Sequence, residues 1–192
     1  NSGYKSFVDQ YTASDGAYIG LPYYQTVLGA LMTNEQLLDK AGLKDDPPED
    51  WDELYENIDN IKKKGVADEP YIPMWWQPIP GYGITHAWMG EIINQSSEEE
   101  LFSKTFEPNF DIDTLAADVL KLVPRGVLTM TSDSDVDGLF ATGKHAYIAF
   151  YLYMATVYND PTFSKFAGYC GVVPAKKHGW GMANQCCYSL TE

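Results

Sequence analysis

Cysteine, basic residues and long apolar runs are all scarce in this chain of 192 residues, and each shortage removes a class of function. Three cysteines, Cys170, Cys186 and Cys187, are too few for a disulfide scaffold, and the adjacent pair lacks the two-residue spacer of a zinc or redox knuckle. They read as structural. Only 13 Lys and Arg oppose 27 Asp and Glu, a formal charge of −14, so most of the surface repels a phosphate backbone and nucleic-acid binding drops out. No stretch approaches ~20 consecutive apolar residues, and Asn1 to Gln10 lack the basic start and apolar run of a secretory leader. The chain therefore reads as either cytosolic or already trimmed. A Gly-rich phosphate loop and a Gly-x-Ser-x-Gly elbow are also missing, and Gly81-Tyr82-Gly83 has no third glycine to complete a dinucleotide fingerprint. His86, His145 and His178 stand apart, with no second histidine four residues away, so neither a metal nor a cofactor is expected.

What remains is the composition of a folded soluble protein, 45% hydrophobic and 21% charged, long enough for one large domain. Aromatic residues stand out: 14 Tyr, 8 Phe and 5 Trp, several of them in loop contexts where a ring can stack on a ligand rather than fill a core.

Along the chain, Gly3 to Tyr11 reads as a helix ending in a polar turn, Thr12 to Gly16, and Ala17 to Leu21 as a strand ended by Pro22. Thr26 to Met32 is rich in Val and Leu. Asn34 caps a helix through Leu37, Leu38 and Ala41 that stops at Gly42. Asp50 to Lys64 is the clearest helix. Asp50 caps it, Asp52 and Glu53 sit at the positive end of the dipole and Lys62 to Lys64 at the negative end, while Trp51, Leu54, Tyr55, Ile58 and Ile61 make one apolar face. Further strands are predicted at Tyr71 to Trp75, Val127 to Met130, Ala146 to Phe150 and Tyr169 to Val173, and helices at Ile84 to Asn94, Asp113 to Leu122, Asp135 to Thr142 and Tyr151 to Tyr158. Short strands alternating with helices imply an α/β fold, a mixed sheet flanked by helices.

Asp133-Ser134-Asp135-Val136-Asp137-Gly138 reproduces the first half of a calcium-binding EF-hand loop, but Lys144 stands where a bidentate Glu is needed. A calcium-dependent interaction module is thus a minor alternative to an ordinary helix start. A glycosidase is another, because any two of the many carboxylates could flank a glycosidic bond at the required ~5 or ~6.5–9.5 Å. The aromatic clusters argue differently. Trp75-Trp76-Gln77 with Tyr82, and Phe150-Tyr151-Leu152-Tyr153, each follow the end of a predicted strand, where open α/β sheets bind ligands. Flat rings stack on the C–H face of a sugar, and neighbouring amides bond its hydroxyls.

Four segments carry a family resemblance. Asp15-Gly16-Ala17-Tyr18-Ile19-Gly20-Leu21-Pro22 is similar to a "G-x-x-y-G-l-P" pattern, and Asn34-Glu35-Gln36-Leu37-Leu38-Asp39-Lys40-Ala41-Gly42-Leu43 to "N-k-d-l-f-k-k-a-G-l". Pro47-Pro48-Glu49-Asp50-Trp51-Asp52-Glu53-Leu54 resembles "P-P-k-T-W-d-E-l", and Phe140-Ala141-Thr142-Gly143-Lys144-His145-Ala146 resembles "F-x-x-G-k-a-A". Together and in this order they resemble the extracellular solute-binding proteins of bacterial ABC importers, the sugar-binding family that includes maltose-binding protein. Thr33, Asp50 and the Cys186-Cys187 pair depart from its pattern.

The resemblance implies one lobe of a type II periplasmic-binding-protein fold, in which two lobes close on a ligand. Residues 1–26 would end the first lobe and make the first crossover, 27–180 would form the second lobe, and 181–192 the return crossover. It further implies a sugar ligand, permease subunits as partners, a monomer when full length, no catalysis, and a periplasmic or surface-lipoprotein location. Carried over by position, Gln25 and Thr26 would supply polar contacts, Trp76, Gln77 and Tyr82 would line the cleft, Tyr153 would stack on the sugar, and Trp180, near the second crossover, would also contact the ligand.

Overall fold

The computed structural model describes residues 5, 8–9, 11–72, 133–174, 180 and 182–188. They form β1 (Leu21–Leu28), β2 (Ala30–Asn34), α1 (Glu35–Ala41), α2 (Trp51–Lys63), β3 (Tyr71–Ile72), α3 (Asp133–Ala141), β4 (Tyr147–Phe150), α4 (Met154–Tyr158), β5 (Cys170–Val172) and β6 (Met182–Tyr188). The helices expected at 84–94 and 113–122 and the strand at 127–130 lie outside the described residues.

The chain divides into two compact units, one of Asn1–Val27 with Ala183–Glu192 and one of Leu28–Met182. In the smaller unit, Thr12 bridges Tyr18 across a turn in which the Asp15 carboxylate accepts from the Ala17 N–H at 2.9 Å and Gly16 takes a φ of 86°. The strand expected at 17–21 is therefore corrected: those residues close a turn, and the strand begins at Leu21 and runs through Pro22. Proline is tolerated there because it lies at the strand's start, in a sheet that among the described residues consists of β1 and β6, both edges.

In the larger unit a four-stranded sheet runs in the order β3-β4-β2-β5. β3 and β4 are parallel, with Tyr71 opposite Tyr147, whereas β2 is antiparallel to both β4 and β5. This is the mixed α/β architecture the alternating elements implied. All four residues of β4 are buried, as a central strand covered on both faces requires. Gly29, at φ 79°, separates β1 from β2 and divides the single apolar run that the sequence shows there.

α2 follows its local signals. The Asp50 carboxylate accepts from the Glu53 N–H at 3.0 Å, and the Glu53 carboxylate accepts from the Glu49 N–H at 2.7 Å, a reciprocal cap. Trp51, Leu54, Ile58 and Ile61 are buried on its inner face, each contributing about 1.5–3 kcal/mol by leaving water. Asn34 caps α1 through the Gln36 N–H, and Gly42 closes that helix in the left-handed region at φ 72°. The calcium-like hexapeptide 133–138 is helical, forming most of α3, so it does not adopt the looped backbone that an EF-hand needs.

Candidate functional site

Residues 73 to 132 are not described, so Trp76, Gln77 and Tyr82 lie outside what can be placed. The sheet itself has an end at which ligands collect in folds of this class. Because β3 and β4 are parallel, the chain leaves both at one end of the sheet, and β2 starts at that end with Ala30 opposite Phe150. In open α/β sheets this carboxyl end is where ligands collect.

At that end the chain turns through residues 151–153 before α4, where the sequence had implied helix from Tyr151 onward. The turn brings the rings of Tyr151 and Tyr153 into a stack, centroids 5.5 Å apart and 23° from parallel. Phe150, buried at the end of β4, meets Tyr151 edge to face at 4.9 Å. A ladder of three rings thus climbs from the core to the surface, ending at Tyr153, which is 52% exposed and borders Leu152, also exposed. Chemically this is an amphipathic platform, a flat apolar ring held by another ring, with a phenol at its rim.

The other described candidates lie on other elements. Gln25 and Thr26 lie on β1 in the smaller unit, with Thr26 half-buried. Trp180 is buried in the larger unit, where its indole packs on Trp51 and its N–H donates to the Pro174 carbonyl at 3.3 Å. That ring is occupied by core contacts. Tyr151 was not among the residues singled out for binding; its place between Phe150 and Tyr153 in an alternating aromatic run was the signal.

Deeper in the unit, burial pushes the phenols of Tyr147 and Tyr158 and the thiol of Cys170 up, the thiol to about 12, so none ionises near neutrality. Tyr147 accepts from the Asn57 side-chain amide at 3.3 Å. Burial lowers His145, whose Nδ1–H donates to the Glu69 carbonyl at 2.7 Å. None of these groups combines an activated nucleophile with an adjacent base. No cluster of three His, Cys, Asp or Glu residues fit to hold a metal is present among the described residues, and no described helix is long and apolar enough to cross a membrane. A polar hollow of about 420 Å³ lies along α1, lined by Glu35, Gln36, Asp39, Lys40, Lys44 and Tyr169, none of them a residue singled out from the sequence.

Among solved structures, the chain is similar to the maltose-bound MalE3 of T. maritima, with a TM-score of 0.67 and 20% identity over 95% of this chain and 46% of that one. It is also similar to a chitin oligosaccharide binding protein, TM-score 0.69, 20% identity, over 95% and 47% of the two chains. A third likeness is to an ABC transporter solute-binding protein from Agrobacterium vitis S4 with bound D-mannitol, TM-score 0.61, 23% identity, over 85% and 40%. The chain spans less than half the length of each, and at these identities the likeness is one of fold. No curated protein matches it in a sequence comparison. Residues 2–183 match the family model for bacterial extracellular solute-binding proteins, and the chain belongs to that family.

Proposed function

We propose that this chain is part of the substrate-binding component of an ABC importer, and that its ligand is a sugar or a related polyhydroxylated solute. The observation that carries the reading is the Tyr151–Tyr153 stack at the carboxyl end of β4, exposed in a fold whose relatives include proteins solved with maltose and with D-mannitol. A ring supported from behind by a second ring presents its face without losing side-chain entropy on binding. Tyr153 is the stacking residue; by the family resemblance Gln25 and Thr26 supply polar contacts, and Trp76, Gln77 and Tyr82 complete the lining.

On this reading residues 1–26 and 181–192 belong to the first lobe and its crossovers, and residues 27–180 to the second lobe. The protein is not an enzyme; it works as a monomer that delivers solute to permease subunits, outside the cytoplasmic membrane, in the periplasm or as a surface lipoprotein. The charge of −14 disfavours nucleic acid as a partner.

Calorimetric titration with maltose, chitobiose and D-mannitol tests the proposal, alongside hydrolysis assays on aryl glycosides. Saturable binding of a polyol without turnover supports it. Turnover that disappears when one carboxylate is changed would transfer the protein to the glycosidases, and calcium-dependent melting would favour an interaction module.

A further inference from the structure

α4 has only five residues, far below the length at which a helix holds its own shape, so its orientation is set by what anchors it. Met154 and Tyr158 are buried, and at a spacing of four they lie on one stripe of the helix, with Ala155 and Val157 packed partly against the core beside them. These apolar contacts seat one side of the helix but are non-directional, and a helix of little more than one turn can still roll on them. Tyr153, at the N-cap with no side-chain cap bond, would swing with any such roll and lose its register on Tyr151.

Asn159 supplies a point of attachment off that stripe. Its side-chain amide donates to the Ala155 carbonyl at 3.0 Å and to the Cys170 carbonyl at 3.0 Å, while its oxygen accepts from the Gly168 N–H at 2.9 Å and the Cys170 N–H at 3.0 Å. The β2–β5 ladder explains why Cys170 is free to do this. Bonds from the Glu35 N–H to the Tyr169 carbonyl and from the Val173 N–H to the Leu31 carbonyl put the inward positions at 169, 171 and 173. The backbone groups of Cys170 therefore face outward, and one asparagine side chain takes both, as a neighbouring strand would. It welds α4 to the sheet's edge strand, which β2 holds in place.

We infer that Asn159 is a positioning residue for the binding platform: by tying α4 to β5 it fixes the roll of that helix and so holds Tyr153 stacked on Tyr151 before ligand arrives. The inference rests on the sugar-binding reading for its consequence but not for its geometry, and the two separate experimentally. In aromatic NMR spectra of the chain, stacking displaces the Tyr153 ring resonances from their free-tyrosine positions. Asn159→Ala should abolish most of that displacement at temperatures where the protein remains folded. Asp160→Ala, which removes only the carboxylate that accepts from the Thr162 N–H and hydroxyl within the same loop, should leave it intact even where it lowers the melting temperature. For whichever of maltose, chitobiose and D-mannitol binds the parent chain, Asn159→Ala should weaken the affinity about tenfold. If none binds, the sugar reading fails and the Tyr153 resonances alone decide the role of Asn159. Should Asn159→Ala not fold, Asn159→Asp keeps the two accepted bonds and loses the two donated ones, and a partial loss of displacement is expected. Unchanged Tyr153 resonances in the folded variant, or unchanged affinity despite a lost stack, would overturn the inference.

Discussion

The indole of Trp180 meets that of Trp51 edge to face, ring centroids 5.4 Å apart and 65° from parallel. Trp51 opens α2 and Trp180 stands 129 positions further along the chain, so this pair joins the best-formed helix of the larger unit to one of its last residues. Truncating Trp51 to alanine should cost about 3–5 kcal/mol in urea denaturation. A double-mutant cycle with Trp180→Ala should return a coupling of about 0.5–1.5 kcal/mol, the ordinary worth of an aromatic pair, and a value near zero would mean the contact is incidental. Trp51→Phe should be milder than its loss of area implies, because the buried indole N–H of Trp51 has no partner among the described residues.

Asn34 bonds twice. Its oxygen caps α1 and its amide donates to the Gly143 carbonyl at 3.3 Å, joining β2 to the turn after α3. Asn34→Ala should destabilise by about 1–3 kcal/mol. Aspartate, an equally good cap on a surface, should do no better here, because it would press a carboxylate against that carbonyl in a site only 1% exposed. Melting curves that show Asn34→Asp close to the parent would refute this.

Gly171 sits opposite Thr33 on the β2–β5 ladder, and a β-carbon there would lie 2.8 Å from both the Thr33 hydroxyl and the Glu35 carboxylate. The Glu35 side chain can swing away, but Thr33 is short and buried. Gly171→Ala should therefore cost about 1–3 kcal/mol, and adding Thr33→Ala should recover part of it. An additive double mutant would show the clash to be relieved some other way.

His145 should make the fold sensitive to mild acid. Burial lowers its pKa from the ordinary 6.5, helped by Lys144, against a smaller opposing pull from the Glu69 carbonyl. The unfolded chain then binds the proton more readily than the folded one. The stability from keeping this ring neutral is complete above 6.5, is lost progressively as pH falls below it, and levels off once the folded pKa is passed. Melting temperatures recorded from pH 8 to 5 should fall over that window in the parent, and that component should vanish in His145→Gln. An identical profile in both would refute the assignment.

Tyr153→Ala should separate binding from folding. The ring is half exposed, so the melting temperature should hardly change, while affinity for a bound sugar should drop by roughly 1–3 kcal/mol, tenfold or more. Loss of stability with affinity retained in the folded fraction would return Tyr153 to an ordinary structural role.

The sequence by itself determined the helices α1 and α2, because caps, dipole charges and a three-to-four spacing are local signals that the chain carries wherever it packs. It also determined the α/β class and the family, through four short motifs, two of which lie on those same helices. Tertiary structure decided the rest. Only pairing partners could say that the strand after Gly20 runs through Pro22, or that Gly29 splits one apolar run in two. Trp180 and Tyr153 are both aromatic residues beside turns, yet one is buried against Trp51 and the other stands half exposed on Tyr151, a difference set by neighbours distant in the chain or by the geometry of a turn. Nothing near Asn159 announced its four bonds, since three of them reach the 168–170 segment across a loop. Local energies are written in the order of residues, whereas the choice between core and surface depends on which elements meet, and that follows from packing the whole sheet at once.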